Sequence, residues 1–207
     1  MNENIKKNIQ AYDSTVEQFF ENTKYIEEPE IQQRKEFLSL VPKKGKILDL
    51  GCGPGRDAKI FSDQNYQVTG VDLSKKTIEK AKIIAPKAEF IIIDFLNLNF
   101  EDKSFDAVWF NAGLLCVEKK FALNLLKRIY ILLKDKGTLF ISIKEGKGEG
   151  FKMDKRYNVK KYYAYYTKEE LEDLLKSANF KKIKIFRPNL KSHYHTHQWI
   201  GILCQKR

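Results

Sequence analysis

The sequence predicts an α/β protein in which helices cover both faces of one parallel, doubly wound sheet. An apolar strand of branched residues, 46–50, stops at the glycine-rich turn Gly51-Cys52-Gly53-Pro54-Gly55 and is followed by helix-compatible residues. Between residues 46 and 143, strand-length apolar segments alternate with helix-length segments. A length of 207 residues fits one domain with a substantial hydrophobic core.

Two helices are expected before the sheet begins. Residues 4–23 place apolar side chains at helical spacings, with Asp13-Ser14 as a predicted break into two pieces. Pro29 suits the first turn of a second helix over residues 31–40, which stops before Pro42. These helices are predicted to cover one edge of a ligand crevice.

Five strands form the first part of the predicted sheet. They are residues 46–50, 67–71, 89–93, 105–110 and 138–143. The helices between them are 54–65, 74–85, with Ser74 as N-cap, and 119–133. Strands joined through helices in this way are parallel.

The pattern changes after residue 144. Residues 145–150 are rich in glycine and are expected to be flexible, and a cluster of tyrosines, 162–166, follows them. Thr167 and Glu170 match a capping box that opens a helix over 169–177. Segments 182–187 and 198–204 leave no room for a helix between them, so they are predicted to pair antiparallel.

Composition narrows the functional classes. The net charge of +11 either attracts nucleic acid or another anion, or spreads solvated lysines over the helix faces. No apolar run approaches the roughly 20 residues that span a bilayer, and the N-terminus lacks the apolar core of a signal peptide. Three scattered cysteines predict neither a disulfide framework nor a metal site, so a cytoplasmic location is expected.

The glycine turn is compatible with three ligand classes. A P-loop would close on Gly-Lys-Ser/Thr, which is absent, and a nicotinamide site prefers Gly-x-Gly-x-x-Gly, whereas this turn reads Gly-x-Gly-x-Gly. Asp49 precedes the turn, Asp72 ends the second strand, and Asp94 follows the third, beside Phe95. Such aspartates can simply cap the next helix. Together with the turn, they favour a cationic ligand with hydroxyls and an amine, and S-adenosylmethionine (SAM) has that profile.

At these positions the sequence resembles the class I SAM-dependent methyltransferases. The matching segments are residues 47–57, 70–74, 93–95 and 105–108. The resemblance implies a single Rossmann-like domain over residues 1–207, with a seven-stranded sheet of order 3-2-1-4-5-7-6 and strand 7 antiparallel. It divides into a helical cover (1–43), a SAM-binding core (44–144), and a substrate-side segment with the terminal strand pair (145–207).

The resemblance also assigns the cofactor site. The glycines approach the methionine part of SAM, Asp49 organises its amino end, Asp72 binds the ribose, and Asp94 with Phe95 holds the adenine, with S-adenosylhomocysteine as product. The implied cofactor-binding residues are Tyr12, Asp49, Gly51, Cys52, Gly53, Gly55, Asp72, Leu73, Asp94, Phe95 and Asn111.

A narrower resemblance is to the bacterial type-11-like small methyltransferases, which are related to the tellurite-resistance methyltransferases. Residues 105–115 and 142–146 and Trp199 carry it. That subgroup usually has a histidine after Leu-Leu, but this chain has Cys116 there. The resemblance therefore assigns no general base at this position.

Catalytic residues are harder to identify, because methyl transfer from a sulfonium mainly requires orientation and desolvation. The candidates are Asn111, Tyr163, His195 and His197. His193, His195 and His197 alternate, which suits a metal site, a substrate base or a polar loop, and no metal is predicted.

The predicted function is methyl transfer from SAM to an O, N or S atom of a small molecule, by a monomer or homodimer with no membrane partner. The alternatives are an RNA (tRNA) methyltransferase, a non-catalytic SAM-binding protein and, against the glycine spacing, a nicotinamide enzyme.

Overall fold

The computed structural model describes residues 3–25, 27–188 and 198–207. Seven of the strands in these ranges form one sheet. The strands in these ranges are β1 (Lys46–Leu50), β2 (Gln67–Asp72), β3 (Glu89–Ile92), β4 (Phe105–Asn111), β5 (Leu133–Lys144), β6 (Glu149–Asp154), β7 (Val159–Ala164), β8 (Phe180–Phe186) and β9 (Trp199–Lys206). The large sheet has the order β3-β2-β1-β4-β5-β9-β8, and β6 and β7 form a separate hairpin.

The topology confirms the predicted fold. Strands β1 to β5 pair in parallel, and β9 is antiparallel to both of its neighbours, β5 and β8. The strand order reverses between β1 and β4, where a crevice opens beyond the carboxyl ends of the strands. Such a switch point is where open α/β sheets bind their ligands.

Helices cover both faces of this sheet. They are α1 (Glu3–Thr23), α2 (Glu28–Ser39), α3 (Arg56–Asp63), α4 (Lys75–Ile84), α5 (Lys119–Leu132) and α6 (Lys168–Ser177). The predicted Ser74 cap is present and accepts from the Thr77 amide, as is the Thr167–Glu170 capping box. No helix within the described ranges combines the length and the apolarity needed to cross a lipid bilayer.

The core has one cluster on each face. On the α2/α3 face, Trp109 stacks on Phe140 at 4.0 Å between ring centroids and meets Phe37 and Phe61 edge-on. On the other face, aliphatic residues of α5 and α6 pack on β4 and β5. Both clusters hold the carboxyl ends of the central strands in fixed positions.

Helix α1 is continuous, so the predicted break at Asp13-Ser14 is wrong. The Ser14 hydroxyl donates to the Ala11 carbonyl at 2.9 Å, and Asp13 accepts from the Ser74 hydroxyl. Ser14 adds a side-chain hydrogen bond to a carbonyl of its own helix, and Asp13 accepts from a residue outside the helix, so neither side chain breaks the backbone ladder.

The flexible glycine segment predicted over residues 145–150 is also corrected. Its last residues belong to β6, which pairs antiparallel with β7. Helix α1 covers this hairpin, and Asn8 of α1 accepts from the Tyr162 backbone amide at 2.7 Å. The hairpin depends on a contact between residues 154 positions apart, which local sequence patterns do not reveal.

Candidate functional site

The turn after β1 is held open by three glycines. Their φ angles are +74° at Gly51, +52° at Gly53 and +87° at Gly55, all in the left-handed region that favours glycine. The Gly51 and Cys52 amides donate to the Val71 carbonyl at 2.8 and 3.0 Å. The turn is therefore tied to β2, and its backbone faces the crevice.

Gly55, the third glycine of the turn, packs against a helix, whereas Gly53 faces open space. A Cβ at Gly53 would meet only Phe19, at 3.7 Å, whereas one at Gly55 would meet the backbone and side chain of Ala81 at 3.0 to 3.1 Å. Gly55 therefore allows α3 and α4 to pack closely, and the structure does not bring it to the crevice.

Gly55→Ala is expected to destabilise the protein by about 2–4 kcal/mol, because it combines left-handed strain with overpacking against Ala81. Gly148→Ala is the matched control, since Gly148 has a φ of +77° but no atom within 4 Å of an added Cβ. It is expected to cost about 1–2 kcal/mol from strain alone. Urea unfolding of both variants measures the difference, and equal losses would contradict the packing role of Gly55.

The crevice contains a first chamber beneath α1, lined by the turn, by the ends of β2 and β4, and by Asp94-Phe95. It encloses about 1140 Å³, its open mouth included. Asp72 accepts from the Ser74 amide at 2.9 Å and the Gly53 amide at 3.3 Å, and Asp94 accepts from Leu96 at 2.9 Å. Both aspartates therefore accept from nearby backbone amides and also line the chamber. Burial raises the pKa of Asp72.

A second chamber, of about 1100 Å³ with its open mouth included, adjoins the first. The two chambers share Tyr12, Phe19, Gly51, Gly53, Asn111 and Ala112. Its other walls include the end of β5 and the β6–β7 hairpin, which contribute Lys144 and Lys161. Lys161 is only 1% exposed and Lys144 7%. Burial lowers the pKa of each lysine to about 8.

Aromatic rings surround these two ammonium groups. Lys161 Nζ lies 4.2 Å from the ring centroids of both Tyr12 and Tyr157. Lys144 Nζ lies 4.7 Å from the Tyr163 ring, whose hydroxyl donates to Asp154 at 2.8 Å. Cation–π contact compensates only part of the lost hydration of a buried ammonium.

A buried carboxylate, Asp57 at the start of α3, fixes the wall between the turn and β4. It accepts from Arg34 Nε at 2.8 Å, from Trp109 Nε1 at 2.9 Å and from Asn111 Nδ2 at 3.2 Å. Burial alone would raise the pKa of Asp57, but Arg34 and Arg56 outweigh it and hold the pKa well below its usual range. The Ser142 hydroxyl donates to the other end of the Asn111 amide, so Asn111 is held from both sides.

Asp49 lies behind the turn and not in either chamber lining. It is buried, and its Oδ2 has no hydrogen-bond partner among the residues that the structure describes. Burial, and then the nearby Asp57, raise its pKa well above the usual range, against the opposing effect of Arg56 and Arg34.

Residues 47–137 match a family described as a methyltransferase domain. The strand order and the antiparallel last strand are those of the class I fold. Residues 47–137 therefore carry a methyltransferase domain, and the whole sheet has the class I topology. The family predicted from the glycine turn and the aspartates is thereby confirmed.

Similar proteins share this domain. The chain is 36% identical over 76 residues to a 2-methyl-6-phytyl-1,4-hydroquinone methyltransferase of Synechocystis, covering 35% of this chain and 24% of that protein. It is 32% identical over 105 residues to a trans-aconitate 2-methyltransferase of Enterobacter, covering 50% and 40%. A TehB-like SAM-dependent methyltransferase of Corynebacterium glutamicum has a similar fold, with a TM-score of 0.72 and 20% identity over 96% of this chain and all of that one. The chain spans less than half the length of the first curated relatives that it matches.

The methyltransferase domain gathers most of the predicted site residues around the first chamber. Those lining it are Tyr12, Gly51, Gly53, Asp72, Leu73, Asp94, Phe95 and Asn111. Cys52 and Tyr163 line the second chamber. His193, His195 and His197 lie outside the described residues.

Sequence reasoning missed Lys144 and Lys161 of the second chamber and the role of Asp57. Lys144 had a usable signal, because it ends a central strand at the edge where such sheets bind ligands. Lys161 had none, since its position depends on the unpredicted hairpin. In the described part of the chain, no three His, Cys, Asp or Glu side chains are placed to hold a metal ion.

The first chamber fits SAM by shape and by chemistry. Gly53 leaves space that a side chain would fill, so a ligand can approach the bare backbone. The carboxylates of Asp72 and Asp94 are acceptors suited to ribose hydroxyls and an adenine amine. Phe95 offers an aromatic face beside Gly51, and its ring lies 3.2 Å from where a Gly51 Cβ would be.

Proposed function

We propose that this protein transfers a methyl group from SAM to an O, N or S atom of a small molecule. The observation that carries the proposal is the meeting of two chambers at Gly51, Gly53 and Asn111. One chamber has the hydrogen-bond acceptors that SAM needs, and the other adjoins it at the glycine turn, where a separate methyl acceptor would bind.

The first chamber would hold SAM through the Gly51–Gly53 backbone, Asp72, Asp94 and Phe95. When bound, SAM supplies an electrophilic methyl group on a sulfonium whose sulfur is the leaving group. Tyr12 stands between the chambers, and its hydroxyl contacts Cys116 Sγ at 3.4 Å, which fixes its ring over the opening. Helix α1 covers both chambers and limits water, so the residues of this chain contribute orientation and desolvation.

Three observations favour a small acceptor over the alternatives. The second chamber is walled by α1 and by the β6–β7 hairpin, which suits a small molecule better than a folded RNA. The presence of a second chamber beside the turn also argues against a SAM-binding protein without an acceptor. The named relatives act on a hydroquinone and on trans-aconitate, both small molecules. Cytoplasmic location and a monomeric or homodimeric state stay predictions from composition.

Isothermal titration with SAM and S-adenosylhomocysteine tests the first half of the proposal. Both are expected to bind at micromolar concentration, and release of S-adenosylhomocysteine with a panel of small acceptors tests the second half. Absence of binding by both compounds up to about 1 mM would overturn the proposal. Salt-sensitive tRNA binding with methyl incorporation into tRNA would favour the RNA alternative instead.

A further inference from the structure

We propose that the second chamber binds an oxyanion of the acceptor, a carboxylate or a phosphate, between Lys144 and Lys161. This inference rests on the proposed function, because that function places the acceptor in this chamber. It adds a substrate class, an anionic small molecule, and two residues that recognise it.

The first support is the pairing of charges around the chamber. Two of its cations have carboxylate partners within 4.0 Å: Arg56 with Glu30 and Arg156 with Asp154. Arg34, which lies behind the wall, pairs with Asp57. Neither Lys144 nor Lys161 has a hydrogen bond or an ion pair of this kind with any residue that the structure describes. Four cations and three carboxylates line the chamber, so it retains an excess of positive charge, and the two lysines are its unpaired cations within the described part of the chain.

The second support is burial. Both lysines are more than nine-tenths buried, and both line the chamber. An ammonium group removed from water destabilises the folded protein unless hydrogen bonds replace its hydration. Tyrosine rings provide attraction to the charge but no hydrogen-bond acceptor along the N–H directions. An oxyanion supplies both the opposite charge and the acceptors.

The third support is the protonation state. With a pKa of about 8, each lysine is mostly an ammonium at neutral pH and acts as a donor rather than a base. Other charged groups facing them are Asp154 and Arg156, and Asp154 has a pKa lowered to about 2, so it stays ionised. The raised pKa values of Tyr12, Tyr163 and Cys116 keep those neighbours neutral, while Tyr157 and Trp199 complete the surroundings. An anion bound here would raise the lysine pKa values back toward their usual range.

The test uses the full chain saturated with S-adenosylhomocysteine and titrated calorimetrically with succinate, inorganic phosphate and the neutral dimethyl ester of succinate. At least one of the two anions is expected to bind, and the ester is not. Tighter binding of succinate would indicate a carboxylate acceptor, and tighter binding of phosphate would indicate a phosphate acceptor. Lys161→Met and Lys144→Met are each expected to weaken anion binding about 10-fold or more. Lys160→Met is the matched control, because Lys160 is the exposed neighbour on β7, and it should change anion binding by less than about 2-fold.

Three outcomes would overturn the inference: no anion binding at about 10 mM, ester binding equal to anion binding, or anion binding unchanged in both lysine variants. If the wild type does not bind S-adenosylhomocysteine, the proposed function is refuted instead. Failure of the proposed function is thus distinguishable from failure of the anion site. If a methionine variant does not fold, the wild type still decides. Its anion affinity should fall about 10-fold between about pH 7 and pH 9.5, as the lysines lose their protons, while S-adenosylhomocysteine affinity changes little. A flat pH profile for the anion would contradict the inference.

Discussion

Replacing Asp57 with alanine is expected to lower the free energy of unfolding by about 3–5 kcal/mol. The side chain is buried and accepts from Arg34, from the Trp109 indole and from Asn111. Its removal leaves Arg34, itself only 4% exposed, as a buried cation with Glu30 as its remaining carboxylate, at 3.9 Å. Removing one partner of a buried ion pair costs far more than removing a surface pair, because the other charge stays desolvated.

Asp63→Ala is the matched control for this prediction. Asp63 lies on the same helix, its side chain is 41% exposed, and it pairs with Lys59 and Lys87 at the surface. Its loss should cost less than about 1 kcal/mol in urea unfolding. Equal losses in the two variants would show that the Asp57 network contributes no more than a surface ion pair.

The pH dependence gives Asp57 a second signature. Its pKa is depressed in the folded protein, so its stabilising contribution is present above the pKa of the unfolded chain and is lost as the pH falls. The difference in stability between the wild type and Asp57→Ala should therefore shrink once the pH drops below about 4. A difference that stays constant down to about pH 2.5 would contradict the ionic origin of the effect.

Local patterns predicted the elements that depend on local interactions. The bounds of β1 were predicted correctly, because branched apolar residues stop at glycines whose positive φ angles end the strand. The Ser74 cap and the Thr167 capping box were likewise predictable, since each joins residues three positions apart. The order of the strands came from the family resemblance and not from the pattern of residues.

Features that depend on distant contacts were not predictable in this way. The β6–β7 hairpin becomes a chamber wall because α1 packs on it, and Asn8 and Tyr162 are 154 positions apart. Asp57 reads as an ordinary residue in the first turn of a helix, but α2 places Arg34 against it. The glycine-turn motif also identified residues that form the turn, but it did not show which of them face the chambers. Asp49 and Gly55 belong to the motif, yet they support α3 and its packing from outside the chambers.

Asp72→Asn is expected to weaken S-adenosylhomocysteine binding about 100-fold, a loss of roughly 3 kcal/mol. Asp72 ends β2 and lines the first chamber, where its carboxylate can accept from both ribose hydroxyls. Asparagine has the same shape but lacks the charge, and only one of its two terminal atoms accepts. Hydrogen bonds to a charged group contribute about 1.5–3 kcal/mol each, so losing the charge and one bond accounts for the expected change.

Calorimetric titration measures this loss, and thermal unfolding of the same variant separates binding from support of the turn. Asp72 also accepts from the Gly53 and Ser74 amides, so a purely structural role predicts a lower melting temperature with unchanged affinity for S-adenosylhomocysteine. A binding role predicts weaker affinity even in variant protein that remains folded at the titration temperature. Asp63→Asn, which removes a surface carboxylate on α3, should leave the affinity unchanged. Affinity within about 3-fold of the wild type in folded Asp72→Asn would reject Asp72 as the ribose-binding residue.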